Sequence, residues 1–121
     1  MPYWSAEPTG SDYSFGAVGV YILLIKDRMF ADAENVIAKS FPEQGIIASL
    51  VCLRLIGAPH RKNLMVHFRK RDFARAQSMF REWYDLTKTK IPAKHRQEIV
   101  AEAEREFELW DEQIFSHLEK P

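Results

Sequence analysis

Cysteine is nearly missing from this chain: Cys52 stands alone among 121 residues. A lone thiol closes no intrachain disulfide, so packing has to hold the fold. The apolar neighbours Leu50, Val51 and Leu53 predict a buried, inert side chain. Cytoplasmic residence fits that usage. Long apolar runs are missing too. The longest, Ala17 to Ile25, covers nine residues counting Gly19, against the roughly 20 needed to cross a bilayer. No membrane association is expected. No basic stretch precedes the run and no small-residue cleavage site follows it, so a secretory signal is not expected either.

The local signatures of catalysis are also lacking. The histidines His60, His67, His95 and His117 never fall at the i, i+3 or i, i+4 spacing of a helical metal site, and no Cys-x-x-Cys occurs. There is no Gly-x-Ser-x-Gly elbow and no phosphate loop. Gly16-Ala17-Val18-Gly19 is too short for a dinucleotide loop and precedes its apolar run, where it would have to follow one. Paired acids such as Glu98/Glu102 and Glu104/Glu108 sit opposite the apolar side of their segment, as a solvated face does. These absences predict a protein without turnover, cofactor or metal.

Net charge is zero, with 17 basic and 17 acidic residues, yet the signs are segregated. Between Gln44 and Arg71 lie six basic residues (Arg54, Arg61, Lys62, Arg69, Lys70, Arg71) and no acid. From Gln97 onward, eight acids face only Arg105 and Lys120. Such asymmetry predicts two surfaces of opposite sign, meeting either partners or each other.

One pattern occurs twice. Lys26-Asp27-Arg28-Met29-Phe30-Ala31-Asp32-Ala33 parallels Arg69-Lys70-Arg71-Asp72-Phe73-Ala74-Arg75-Ala76, with Val36/Met79 and Ile37/Phe80 following at matched offsets. The pattern predicts a strand, a charged turn and a helix, used twice. Gly19 to Ile25 reads as a buried strand, and Met29 to Phe41 as an amphipathic helix stopped by Pro42. Ile46 to Ile56 reads as a strand, because wound as a helix it would place Arg54 among apolar residues. After a loop over residues 57–63, Leu64, Val66 and Phe68 alternate with Met65, His67 and Arg69 as a returning strand. Asp72 caps the next helix and Pro92 suits the first turn of the last. That last helix would be about 42 Å long at 1.5 Å per residue, and would overhang a domain with a radius of gyration of about 14 Å.

The expected fold is therefore α+β: an incomplete ferredoxin-like β-α-β-β-α sandwich with a long C-terminal helix. An all-α bundle, with Val20–Arg28 and Ile46–Ile56 as buried helices, is the alternative. Residues 1–16 form an irregular, aromatic N-terminal arm, and residues 17–121 one globular domain. Phe30, Ala33, Ile37, Phe73, Ala76, Phe80, Trp83, Phe107 and Trp110 are expected to share its core.

The β-α-β-β-α order resembles the RNA-recognition motif in topology. Val20-Tyr21-Ile22 and Val66-His67-Phe68 stand where its base-stacking strands would be, with Arg61, Lys62, Arg69, Lys70 and Arg71 as phosphate contacts. The chain departs from that pattern at Asn63 and Leu64, where an exposed ring is wanted, and its pI near 6.9 is not that of a basic binder. RNA binding through residues 54–71 is thus the alternative function. The leading one is a small non-enzymatic protein-binding domain, of the kind bacterial immunity proteins and antitoxins represent. It would occlude a partner's charged site, a toxin's for example, through Glu104, Glu108, Asp111 and Glu112. The stripe Phe107, Trp110, Ile114 and Leu118 exceeds the evident needs of one small domain, and predicts either a homodimer through the last helix or its use as a surface for another partner.

Overall fold

The computed structural model describes residues 12–39 and 45–118, with side chains over 16–34 and 45–118. Its long helices are α1 (Asp12–Lys39), α2 (Gly45–Gly57), α4 (Lys70–Thr87) and α5 (Ala93–Trp110), with the short α3 (Arg61–His67) between α2 and α4. Among the described residues there is no strand, which overturns the α+β sandwich. The fold is all-α.

Each predicted strand failed for a reason that can be named. Gly19–Ile25 belongs to α1, which runs unbroken through the supposed charged turn. Its buried positions Ile22, Met29, Phe30 and Ala33 keep helical spacing across that turn, with Lys26 half-buried between them. Lys26 reaches out of the core instead of breaking it: Nζ donates to the His67 carbonyl at 3.0 Å and lies 3.5 Å from Asp72. Ile46–Ile56 belongs to α2, whose buried face is Ile46, Ile47, Leu50, Leu53, Arg54 and Gly57. Arg54 does lie among apolar residues there, because Glu106 neutralises it from 52 positions away. The returning strand of residues 64–69 is the end of α3 followed by two extended residues, Phe68 and Arg69. That break lets Phe68 turn into the core while α4 starts afresh.

Helix α4 starts three residues earlier than the sequence suggests: Arg69 is its N-cap, and Asp72 lies inside the first turn and reaches back to it. The Arg69 amide donates to the Asp72 carboxylate at 2.9 Å, satisfying one of the open N–H groups of the first turn. Pro92 directly precedes α5. The repeated Phe-Ala-x-Ala motif is helical in both copies, and Phe30, Ala33, Phe73 and Ala76 are all buried. Of the expected core, Phe80, Trp83, Phe107 and Trp110 are buried as well; the side chain of Ile37 lies outside the described residues. The predicted arm lies outside them as far as Ser11, and from Asp12 the chain is helical.

Helix α1 packs on α2, α3 and α4, and α5 closes the bundle against α2. The centre is aromatic. Phe73 meets Phe107 edge-on at 5.9 Å, Trp110 at 5.2 Å and Phe115 at 5.2 Å, and Phe68 meets Trp110 at 5.3 Å. Edge-on and tilted contacts at such distances suit the ring quadrupoles. The last helix continues past Trp110 through Asp111–Phe115, a wider π-helical turn that buries both Ile114 and Phe115. Of the C-terminal stripe, Phe107, Trp110 and Ile114 are buried in this core and Leu118 is exposed.

Gly57 marks the tightest approach. It is helical, with φ −81°, so it supplies room and not backbone freedom. A Cβ there would overlap the side chain of Leu64, which is fully buried. Gly57→Ala gains up to about 1 kcal/mol of helix propensity but overpacks a closed site at about 1–3 kcal/mol. A net loss of stability is expected in urea unfolding. A variant as stable as the parent would show that Leu64 has space to move.

Candidate functional site

Helix α5 carries two contrasting faces. Ala103, Glu106, Phe107 and Trp110 are buried, and Ile114 extends the same face through the π turn. Glu104, Glu108, Asp111 and Glu112 are all exposed on the other side, as their spacing predicts. Glu104/Glu108 and Glu108/Glu112 are like-charge pairs at i, i+4, each costing a few tenths of a kcal/mol. Arg81 stands 3.7 Å from Glu104, with both side chains open to solvent, and relieves little of that charge.

The acidic ridge is held rigidly from beneath. Trp110 Nε1 donates to the Leu50 carbonyl at 3.2 Å, tying α5 to α2. Beside it, Arg54 grips the Glu106 carboxylate with two hydrogen bonds, from Nε at 2.6 Å and Nη2 at 3.0 Å. Arg54 Nη1 donates to Gln113 Oε1 at 3.0 Å, and Arg61 Nε donates to the Gln113 carbonyl at 2.7 Å. Bidentate, charge-assisted pairing of this kind fixes orientation as well as distance. Both charges are buried, so neither could remain without the other.

That pair was missed in the sequence, where Glu106 read as one more surface acid. The signal was there: Arg54 and Glu106 each stand in phase with an apolar helical stripe, with opposite signs.

The basic residues are divided. Arg54 is consumed by Glu106, and Arg61 is half-buried on Gln113. Lys62, Arg69, Lys70 and Arg71 are exposed around the α3–α4 corner, with Lys70 Nζ 5.4 Å from the Phe115 ring centroid. Phe115 follows Asp111 by one helical turn, so the basic corner and the acidic ridge approach each other there. Part of the charge segregation is therefore met within the fold. The stacking strands of the RNA reading are helices, and Tyr21 is exposed on the first of them. Val66 is exposed, His67 is half-buried and Phe68 is buried.

Cys52 is exposed, contrary to the buried thiol read from its neighbours. Winding α2 as a helix puts Leu50 and Leu53 inward and turns Cys52 outward. Among the described residues no three His, Cys, Asp or Glu side chains gather as a metal site would require. Among the same residues no helix is long and apolar enough to cross a membrane. The fold and surface define the class: an all-helical domain with a rigid acidic ridge. No family model, curated protein or solved structure matches the chain.

Proposed function

We propose that this chain is a non-enzymatic protein-binding domain that presents the α5 ridge to a cationic surface of its partner. The reading rests on one observation: four carboxylates, Glu104, Glu108, Asp111 and Glu112, line the solvent side of a helix whose opposite side is locked into the core. The ridge repels itself, and a positive partner relieves that cost. A surface predominantly of one sign speeds association and selects partners of the other sign. This is how a small inhibitor of the immunity or antitoxin type would cover a basic nucleic-acid-handling site on a toxin. A cytoplasmic setting belongs to the same proposal.

Glu104→Lys/Glu108→Lys is expected to slow association at least tenfold while shifting unfolding stability by only tenths of a kcal/mol, since both residues are exposed. Stopped-flow or surface-plasmon kinetics with the product of the adjacent reading frame measures this, and a salt series should show the rate falling as ionic strength rises. Filter binding with pooled cellular RNA runs beside it. Tight RNA retention, lost on removing Lys62, Arg69, Lys70 and Arg71 and unaffected by the ridge variant, would replace this proposal with the RNA reading.

A further inference from the structure

Helix α1 is apolar on more sides than the core can use. Ile22 is buried, yet Val20, Tyr21 and Leu24 are 54, 61 and 59 % exposed. Across the seam Leu55 of α2 is 63 % exposed, and Ala48 and Cys52 beside it are exposed as well. The two helices run antiparallel. A groove of about 750 Å³ lies between them, walled by Leu24, Asp27, Arg28 and Ala31 of α1 and by Ala48 and Cys52 of α2. A smaller one of about 320 Å³ continues along the seam past Tyr21 and Leu55. A helix whose outer face carries several exposed large apolar residues is normally covered.

We infer that a second copy of this chain covers the seam, packing α1 antiparallel against α1 about a two-fold axis between Asp27 and Arg28. Leu24, Arg28 and Ala31 follow one another at the 4-3 spacing of a helix–helix stripe, with Asp27 at its edge. An isologous contact has to complement itself, and one register does so at three levels. It sets Asp27 of each copy against Arg28 of the other, twice over. It sets the exposed Leu24 against the small Ala31, next to the space left by Ala48. It also sets the Tyr21 hydroxyl against the Glu34 carboxylate.

Arg28 holds Asp32 of its own helix through Nε at 2.8 Å, which leaves its terminal amino groups for Asp27 of the partner copy. Zero net charge means that two copies do not repel each other. The apolar character of the seam is that of homodimer interfaces more than of transient ones. This surface shares no residue with the α5 ridge, and it replaces the C-terminal stripe as the place of self-association.

Sedimentation velocity across the micromolar range tests it by charge exchange. The parent chain is expected to be a dimer. Asp27→Arg and Arg28→Asp should each be monomeric, because like charges then face each other twice. The double variant Asp27→Arg/Arg28→Asp should recover the dimer, because the reciprocal pairing is restored with its signs reversed. Both positions are exposed, so the helix signal in circular dichroism should be the same for all four proteins.

The rate at which Ellman's reagent reaches Cys52 gives a second readout, expected to fall as protein concentration rises through the dimer transition. A monomeric parent chain overturns the proposal. So does a dimer indifferent to both single exchanges, or a double variant as monomeric as the singles. A Cys52 rate that is slow but independent of concentration would assign the groove to a segment of the same chain, and overturns it too.

Discussion

Replacing Glu106 by alanine is expected to destabilise the chain by about 3–5 kcal/mol, because it strands the Arg54 guanidinium in the core. The two bonds that hold it, at 2.6 and 3.0 Å, are lost together. Gln113 Oε1 stays within reach of Nη1 but carries no charge to set against it. For a domain whose whole stability is about 5–15 kcal/mol, a loss of this size exposes the chain to partial unfolding at ordinary temperatures. The pair itself is worth far less than its disruption. Arg54→Met/Glu106→Leu, which removes both charges and keeps apolar volume, should be near neutral or stabilising. Urea unfolding followed by tryptophan fluorescence gives both numbers. A loss below about 1 kcal/mol for the single variant would show that Arg54 reaches water.

The second large effect is expected at Trp110. Its ring is fully buried and touches Phe68, Phe73 and Phe115, with centroids 5.2 to 5.8 Å away. Trp110→Ala removes those contacts and leaves a cavity between α2, α4 and the π turn, at about 3–5 kcal/mol. Trp110→Phe keeps much of the apolar contact and loses the N–H donated to Leu50, a hydrogen bond worth about 0.5–1.5 kcal/mol net. The two variants should therefore separate clearly in thermal and urea unfolding. Equal losses would mean that the indole hydrogen bond, and not the aromatic cluster, fixes α5 on α2.

The difference between sequence and structure follows one physical line. Elements with a polar outer face were legible: α4 and α5 alternate apolar and charged residues at helical spacing, and the acidic ridge follows from that phase. The elements missed are those whose helical period is hidden. Val18 to Ile25 is apolar on all sides, so a short window there cannot separate helix from buried strand. Lys26–Asp27–Arg28 looks like a turn until Lys26 is seen to reach His67 and Asp72. Arg54 argued against a helix only because its counter-charge stands 52 residues further along the chain. Asn63, buried on α3, misled in the same way, as a polar residue where a loop was expected. Lys26 and Arg54 are each satisfied by a residue remote in sequence, and a local pattern carries no trace of that.

Every functional statement made for this chain depends on residues 19–25, 46–56 and 64–67 being helical. That winding turns Cys52 and Leu24 outward, Arg54 inward, and presents the α5 ridge on a closed bundle. Backbone chemical shifts of the isotope-labelled protein in solution test it residue by residue. Cα shifts displaced downfield through all three segments are expected, ending at the extended pair Phe68 and Arg69 that follows the third. Upfield, strand-type shifts over 46–56 paired with 64–67, with cross-strand contacts between them, would contradict it.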